Sequence, residues 1–207
     1  MNIILIIGLI GALLMFSGDM LIFYHSENKN KKETNKMDRI ISIMKEIPKK
    51  RLMAGGIISP VATFLYCIGF YHIILITNES HQNIASLAFF CLFFGVIAGG
   101  IFHSHFVYLG LLGENKKSLN IVIDYFKNFS LMMYISEGIG FVILLGLIIT
   151  GNTELPQWMF VLTPGILFLL SPIVGKLPEK IRTVVAGGWS NLISIIYYIS
   201  VIIYIIL

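Results

Sequence analysis

The chain has 207 residues, 57% of them hydrophobic and only 13% charged, with a mean hydropathy of +0.85. Soluble domains carry about 25% charged residues, so a soluble enzyme or binding module is excluded and an all-α integral membrane protein is expected. The net charge of +4 comes from lysines flanking apolar runs, which is a topology signal. With no basic patch interleaved with aromatics, nucleic acid is not an expected partner.

The first apolar run, 2–24, reads as a retained helix and not a signal peptide. It has no basic leader and no small-residue cleavage site, and Asp19 interrupts it. A lysine-rich link, 25–51, follows and is assigned to the cytoplasm. Within it Met37, Ile40, Ile41, Met44 and Ile47 share one helical face, predicting an amphipathic helix lying in the headgroup region and ended by Pro48. Its lysines make anionic lipid a candidate partner beside the bilayer itself.

The second span is expected at 52–77, bent at Pro60, and the third at 84–113. The fourth is placed at 129–150, after an interfacial lead-in that holds Asp124, Lys127 and Asn128. The fifth, 157–175, carries Pro164 and Pro172, and the sixth is 183–207. The whole chain, 1–207, is thus read as a single transmembrane domain of six helices with one interfacial helix and no internal repeat.

Charge placement is an independent check on that count. All fifteen Lys and Arg residues fall in the links after the first, third and fifth spans, and the links 78–83 and 151–156 hold none. Such alternation is what six crossings with both termini outside require. A multi-pass cell-membrane protein follows, and isoleucine-rich spans with more lysine than arginine favour a bacterial inner membrane. Cys67 and Cys91 lie inside apolar segments, where packing is the simpler role than a disulfide.

The third span organises the functional reading. Its stretch Gly95–Gly113 carries His103 and His105 among glycines at helical spacing, and imidazoles inside an apolar crossing need a reason. At 1.5 Å per residue, Asp19 lies roughly 9 Å from the cytoplasmic end, His103 and His105 about 12–15 Å, Glu137 about 12 Å, and Ser190 and Asn191 about 10–12 Å. The strongest polar groups therefore share one layer. His103 falls on the glycine face with Gly95, Gly99, Phe106 and Gly110, whereas His105, about 200° away on an ideal helix, points to a second helix contact. The candidate ligand or proton site is Asp19, His103, Glu137 and Asn191, with His105, Ser190 and Tyr134 around them. His72 is expected to be structural, and His25 and His81 to lie in solvated links.

No nucleotide loop, dinucleotide fingerprint, zinc-protease helix or nucleophile elbow is present, so no cofactor is implied. The leading expectation is a small membrane protein that binds or transports a small solute or lipid at this layer. A non-catalytic membrane subunit is the first alternative. An intramembrane hydrolase of a lipid, with Asp19, His103 and Glu137 holding a metal ion, is the second.

Overall fold

The structure, a computed structural model, describes residues 1–24, 36–112 and 115–206. His25, the first part of the basic link and the expected span ends Gly113 and Leu207 lie outside the described residues. The elements are α1 (Asn2–Phe23), α2 (Lys36–Glu46), α3 (Lys49–Phe70), α4 (His72–Leu75), α5 (Gln82–Leu111), α6 (Lys116–Ile149), α7 (Pro164–Phe168), α8 (Ser171–Val174), α9 (Glu179–Val185) and α10 (Trp189–Ile206). Two 3-10 turns, Glu79–His81 and Gln157–Leu162, complete the order. Five helical stretches are long and apolar enough to cross a membrane: Asn2–Phe23, Lys49–Leu75, Glu79–Leu111, Lys117–Ile149 and Trp189–Ile206. The architecture is that of a helical membrane protein, and its outside is as apolar as its inside. Ile3, Phe64, Phe90, Val142 and Leu169 are all more than half exposed, where water would penalise them and hydrocarbon would not.

Successive long helices pack as antiparallel neighbours, α1 on α3, α3 on α5 and α5 on α6, while α10 returns to α1 and touches α7. Small residues set the spacing. A Cβ on Gly69 would stand 2.4 Å from the Gly8 Cα, and one on Gly55 would stand 3.1 Å from the Gly18 carbonyl oxygen, so α1 and α3 are in backbone contact. Ser59 adds an interhelical bond, donating to the Gly100 carbonyl at 2.8 Å.

The lysine-free links meet at one end, where the Asn78 N–H donates to Asn152 O (3.0 Å) and the Glu154 N–H to Ile76 O (2.8 Å). At the other end Arg51 donates to the Met20 carbonyl (2.8 Å) and to that of Tyr24, satisfying the last turn of α1 with a cation where the helix dipole favours one.

Several boundaries differ from the sequence reading, each for a physical reason. α3 runs through Pro60, and the interruption falls at Tyr71 instead. Proline cannot donate to the carbonyl four residues back, and here Ser104 Oγ donates to that Gly56 carbonyl at 3.3 Å. The lead-in to the fourth span is no separate element, because α6 is one helix of 34 residues. That is about 51 Å long, so its polar first third can stand clear of the hydrocarbon while Leu119 and Phe126 pack beside Met44 of α2.

The segment expected as the fifth helix, 157–175, is broken into the 3-10 turn, α7 and α8. Pro164 and Pro172 start α7 and α8 at positions where a missing N–H costs nothing. The sixth helix is likewise divided, α9 ending before Gly187 and Gly188, and Gly188 lies against the Phe16 ring. The apolar face of α2 packs on the bundle: Ile41, Met44 and Ile47 are buried in one cluster with Leu52 and Leu109.

Candidate functional site

The ring of helices encloses a cavity of about 670 Å³, walled by α1, α3, α5, α6, residues 163–169 and the start of α10. Its lining is mainly apolar, from Met15, Phe70, Val96 and Phe141 to Leu145 and Ile193, and its polar groups gather on one side. This is the composition of sites that seat a ligand by its apolar surface and orient it with a few polar contacts.

The polar side is built from four helices. Asp19, on the buried face of α1 with Gly8, Gly11, Ala12 and Met15, places Oδ1 3.3 Å from His103 Nδ1. Its Oδ2 accepts from Asn191 Nδ2 at 2.7 Å. Asn191 in turn accepts on Oδ1 from the Tyr66 hydroxyl at 2.9 Å, which fixes the amide orientation, since its nitrogen must donate to the acid and its oxygen must accept from the phenol. His103 Nε2 lies 3.3 Å from the Gly55 carbonyl. Gly18 leaves room for that approach, a Cβ there standing 3.3 Å from both Gly55 O and His103 Nε2.

Both ring nitrogens of His103 thus face oxygens, the Asp19 carboxyl on one side and the Gly55 carbonyl on the other.

Glu137 enters the same cavity from α6. Its stem lies on the small residues of α5: a Cβ on Gly95 would stand 2.6 Å from Glu137 Cγ, and one on Gly99 would stand 3.7 Å from Oε1. The Gly95-x-x-x-Gly99 spacing is therefore the seat of this carboxylate as well as a helix contact. Among the described residues no group donates a hydrogen bond to Glu137 and none forms an ion pair with it, and no Lys or Arg lines the cavity.

Aromatic clusters pack toward both ends. Toward the basic end Phe102 and Phe106 meet Phe126 at centroid distances of 4.3 and 4.9 Å, and Phe23 sits edge-on to Phe106 at 4.8 Å. Toward the other end Tyr66 stacks on Phe70 at 5.8 Å, and Tyr198 packs against both. The lining from α6 and residues 163–169 is the most exposed: Tyr134 is 53%, Val142 68% and Leu169 71% exposed, and a Cβ on Gly138 would meet nothing within 4 Å.

Of the residues singled out in the sequence, Asp19, His103 and Asn191 are joined directly, while Glu137, Ser190 and Tyr134 line the same cavity without bonding to them. His105 is not at the site. Its Nδ1 bonds to Ile101 O of its own helix at 2.7 Å, its ring stacks on Tyr125, and it lines an outer groove between α3 and α5. His72 is fully buried at the far end, between Gly69 O (2.6 Å) and the Tyr197 hydroxyl (2.8 Å). Tyr66 was not foreseen. Its only sequence signal is a helical register with Gly55, Ser59, Ala62, Thr63 and Phe70, all buried on one face of α3.

The donor set does not fit the metal alternative: among the described residues no three His, Cys, Asp or Glu groups come together as ligands. Asp19, His103 and Glu137 share a cavity, not a coordination sphere.

The chain matches the model of a family of unknown function (DUF6796) over residues 1–207, and it belongs to that family. No curated protein matches it, and no solved structure does.

Proposed function

We propose that this member of the DUF6796 family is a binding protein for an amphiphile dissolved in the membrane, held in the central cavity with its head at the polar side and its tail toward the gap between α6 and residues 163–169. The observation that carries this reading is where the lining is exposed. Aromatic clusters pack at both ends of the cavity, and the wall formed by α6 and residues 163–169 carries exposed apolar side chains such as Val142 and Leu169. A solute arriving from water would have to pass an aromatic plug, whereas a molecule already in the bilayer would not. Transport would require a second arrangement in which one plug parts, and binding requires none.

The same reading gives the broken segment a role. Irregular backbone at membrane depth is tolerated where it lines a cavity, and Thr163, Pro164, Gly165 and Ile166 do so. We count 157–175 as a crossing of broken helix, supported by Gly165 against Phe141 and Phe168 against Tyr134, which run it back along α6. Six crossings keep all fifteen Lys and Arg residues on one side, with both termini on the other. The membrane we propose is a bacterial inner membrane, with anionic headgroups beside the basic link 25–51 and α2 at that face.

The test is equilibrium binding of an amphiphile with a fluorescent tail to the protein in nanodiscs. Gly138→Trp fills the opening from a position with free space. Binding to the wild type that falls at least about tenfold in this variant supports the reading. Equal binding by both proteins, or none by the wild type, overturns it.

A further inference from the structure

We infer that the amphiphile carries a cationic, proton-donating head, a protonated amine in chemical class, and that Glu137 is the group that receives it. The inference rests on the cavity reading above and deepens it.

The argument is one of charge. Asp19 is partnered within the protein: its two oxygens face His103 and Asn191. Glu137 has no such partners. Among the described residues it has no hydrogen-bond donor and no ion-pair partner, and the cavity around it contains no Lys or Arg. Glu137 is partly buried, and an unpaired carboxylate at membrane depth is costly; its position is not an accident of loose packing, because Gly95 and Gly99 make the space its side chain occupies. What the cavity lacks is one positive donor beside Glu137, with a path for an apolar tail next to it. Gly138, the adjacent residue, stands in that path with nothing within 4 Å of its Cβ position.

An anionic head beside Glu137 would meet a second acid with no Lys or Arg in the cavity, and so is disfavoured. A neutral hydroxyl could bond to Glu137 but would leave any charge on it uncompensated. A charge-assisted bond exceeds a neutral one by about a factor of two in energy, enough for a selectivity of about tenfold.

The test uses three probes with one fluorescent tail and three heads, a primary ammonium, an alcohol and a carboxylate. Binding to the full-length protein in nanodiscs is measured for the wild type, Glu137→Gln, Glu137→Asp and Gly138→Trp, with thermal unfolding recorded for each. The expected result is ammonium over alcohol by about tenfold or more, carboxylate weakest. Glu137→Gln should bring ammonium and alcohol to within about twofold, and Glu137→Asp should restore a part of the preference.

Three heads binding alike to the wild type, with loss in Gly138→Trp, would overturn the cationic assignment while leaving the cavity reading standing. An ammonium preference that survives in folded Glu137→Gln would overturn Glu137 as its receiver. No binding by any probe would overturn both readings together.

Discussion

Two buried histidines of this protein teach opposite lessons. His72 Nδ1–H donates to Gly69 O, and its Nε2 accepts from Tyr197, a neutral ring with one donor, one acceptor and no exposure. Nothing is left over, and it pins α4 to α10 at the end where the lysine-free links meet. His103 has acceptors on both nitrogens, an acid for a neighbour and a cavity in front of it. Its two oxygen partners are a carboxyl and a carbonyl on different helices. The difference is not burial, since both rings are buried. It lies in whether the local hydrogen bonds close on themselves or face a space that something else can enter.

The largest effect that sharpens this contrast is expected at the closed end. Gly69→Val pushes a branched side chain into the Gly8 backbone, where even a Cβ would stand 2.4 Å from Gly8 Cα. Overpacking of this kind costs about 3 kcal/mol, and thermal unfolding in detergent should show a large fall in midpoint, from which binding cannot recover.

Next comes Asp19→Ala, which leaves Asn191 and His103 without their shared acceptor, for a loss of about 2–3 kcal/mol. Asp19→Asn keeps an oxygen and should cost less, so equal destabilisation by the two would break the hydrogen-bond account. Tyr197→Phe removes one partner of His72 and should cost about 1 kcal/mol without changing amphiphile binding; a change in binding would show that the two ends are coupled. Last comes Glu137→Gln, which breaks no described pairing and removes an unpaired carboxylate, so it should not lower the unfolding midpoint. Its effect should fall on ligand selectivity alone.

How far the sequence foretells this arrangement depends on the kind of signal. Long apolar helices announce themselves by length, and α1 and α5 end within a few residues of their expected limits. The face of α1 is legible because Gly8, Gly11, Ala12, Met15 and Asp19 repeat at helical spacing, and all are buried. The broken course of 157–175 is less legible. Pro164 and Pro172 are visible as bends, but the length of each fragment depends on what the freed backbone groups can find. α2 is legible as an amphipathic helix, but the stripe does not say what covers it, and Leu109 and Leu52 do.

At the site, depth alone puts Asp19, His103, Glu137 and Asn191 in one layer. Sequence cannot say that the first two and the last bond while Glu137 stays apart, because that follows from the crossing positions set by glycines on neighbouring helices. His105 is separated from His103 by helical geometry, as its 200° offset implies, and lies at the outer groove.

The central claim, that the cavity takes an amphiphile from the side, is tested most directly by photolabelling. An ammonium-headed probe with a diazirine in its tail, irradiated with the protein in nanodiscs and mapped by peptide mass spectrometry, should mark Tyr134, Val142 and Leu169, and excess unlabelled probe should suppress the marks. Labels confined to the outer groove at Phe64 and Ile97, or unaffected by competitor, would contradict it.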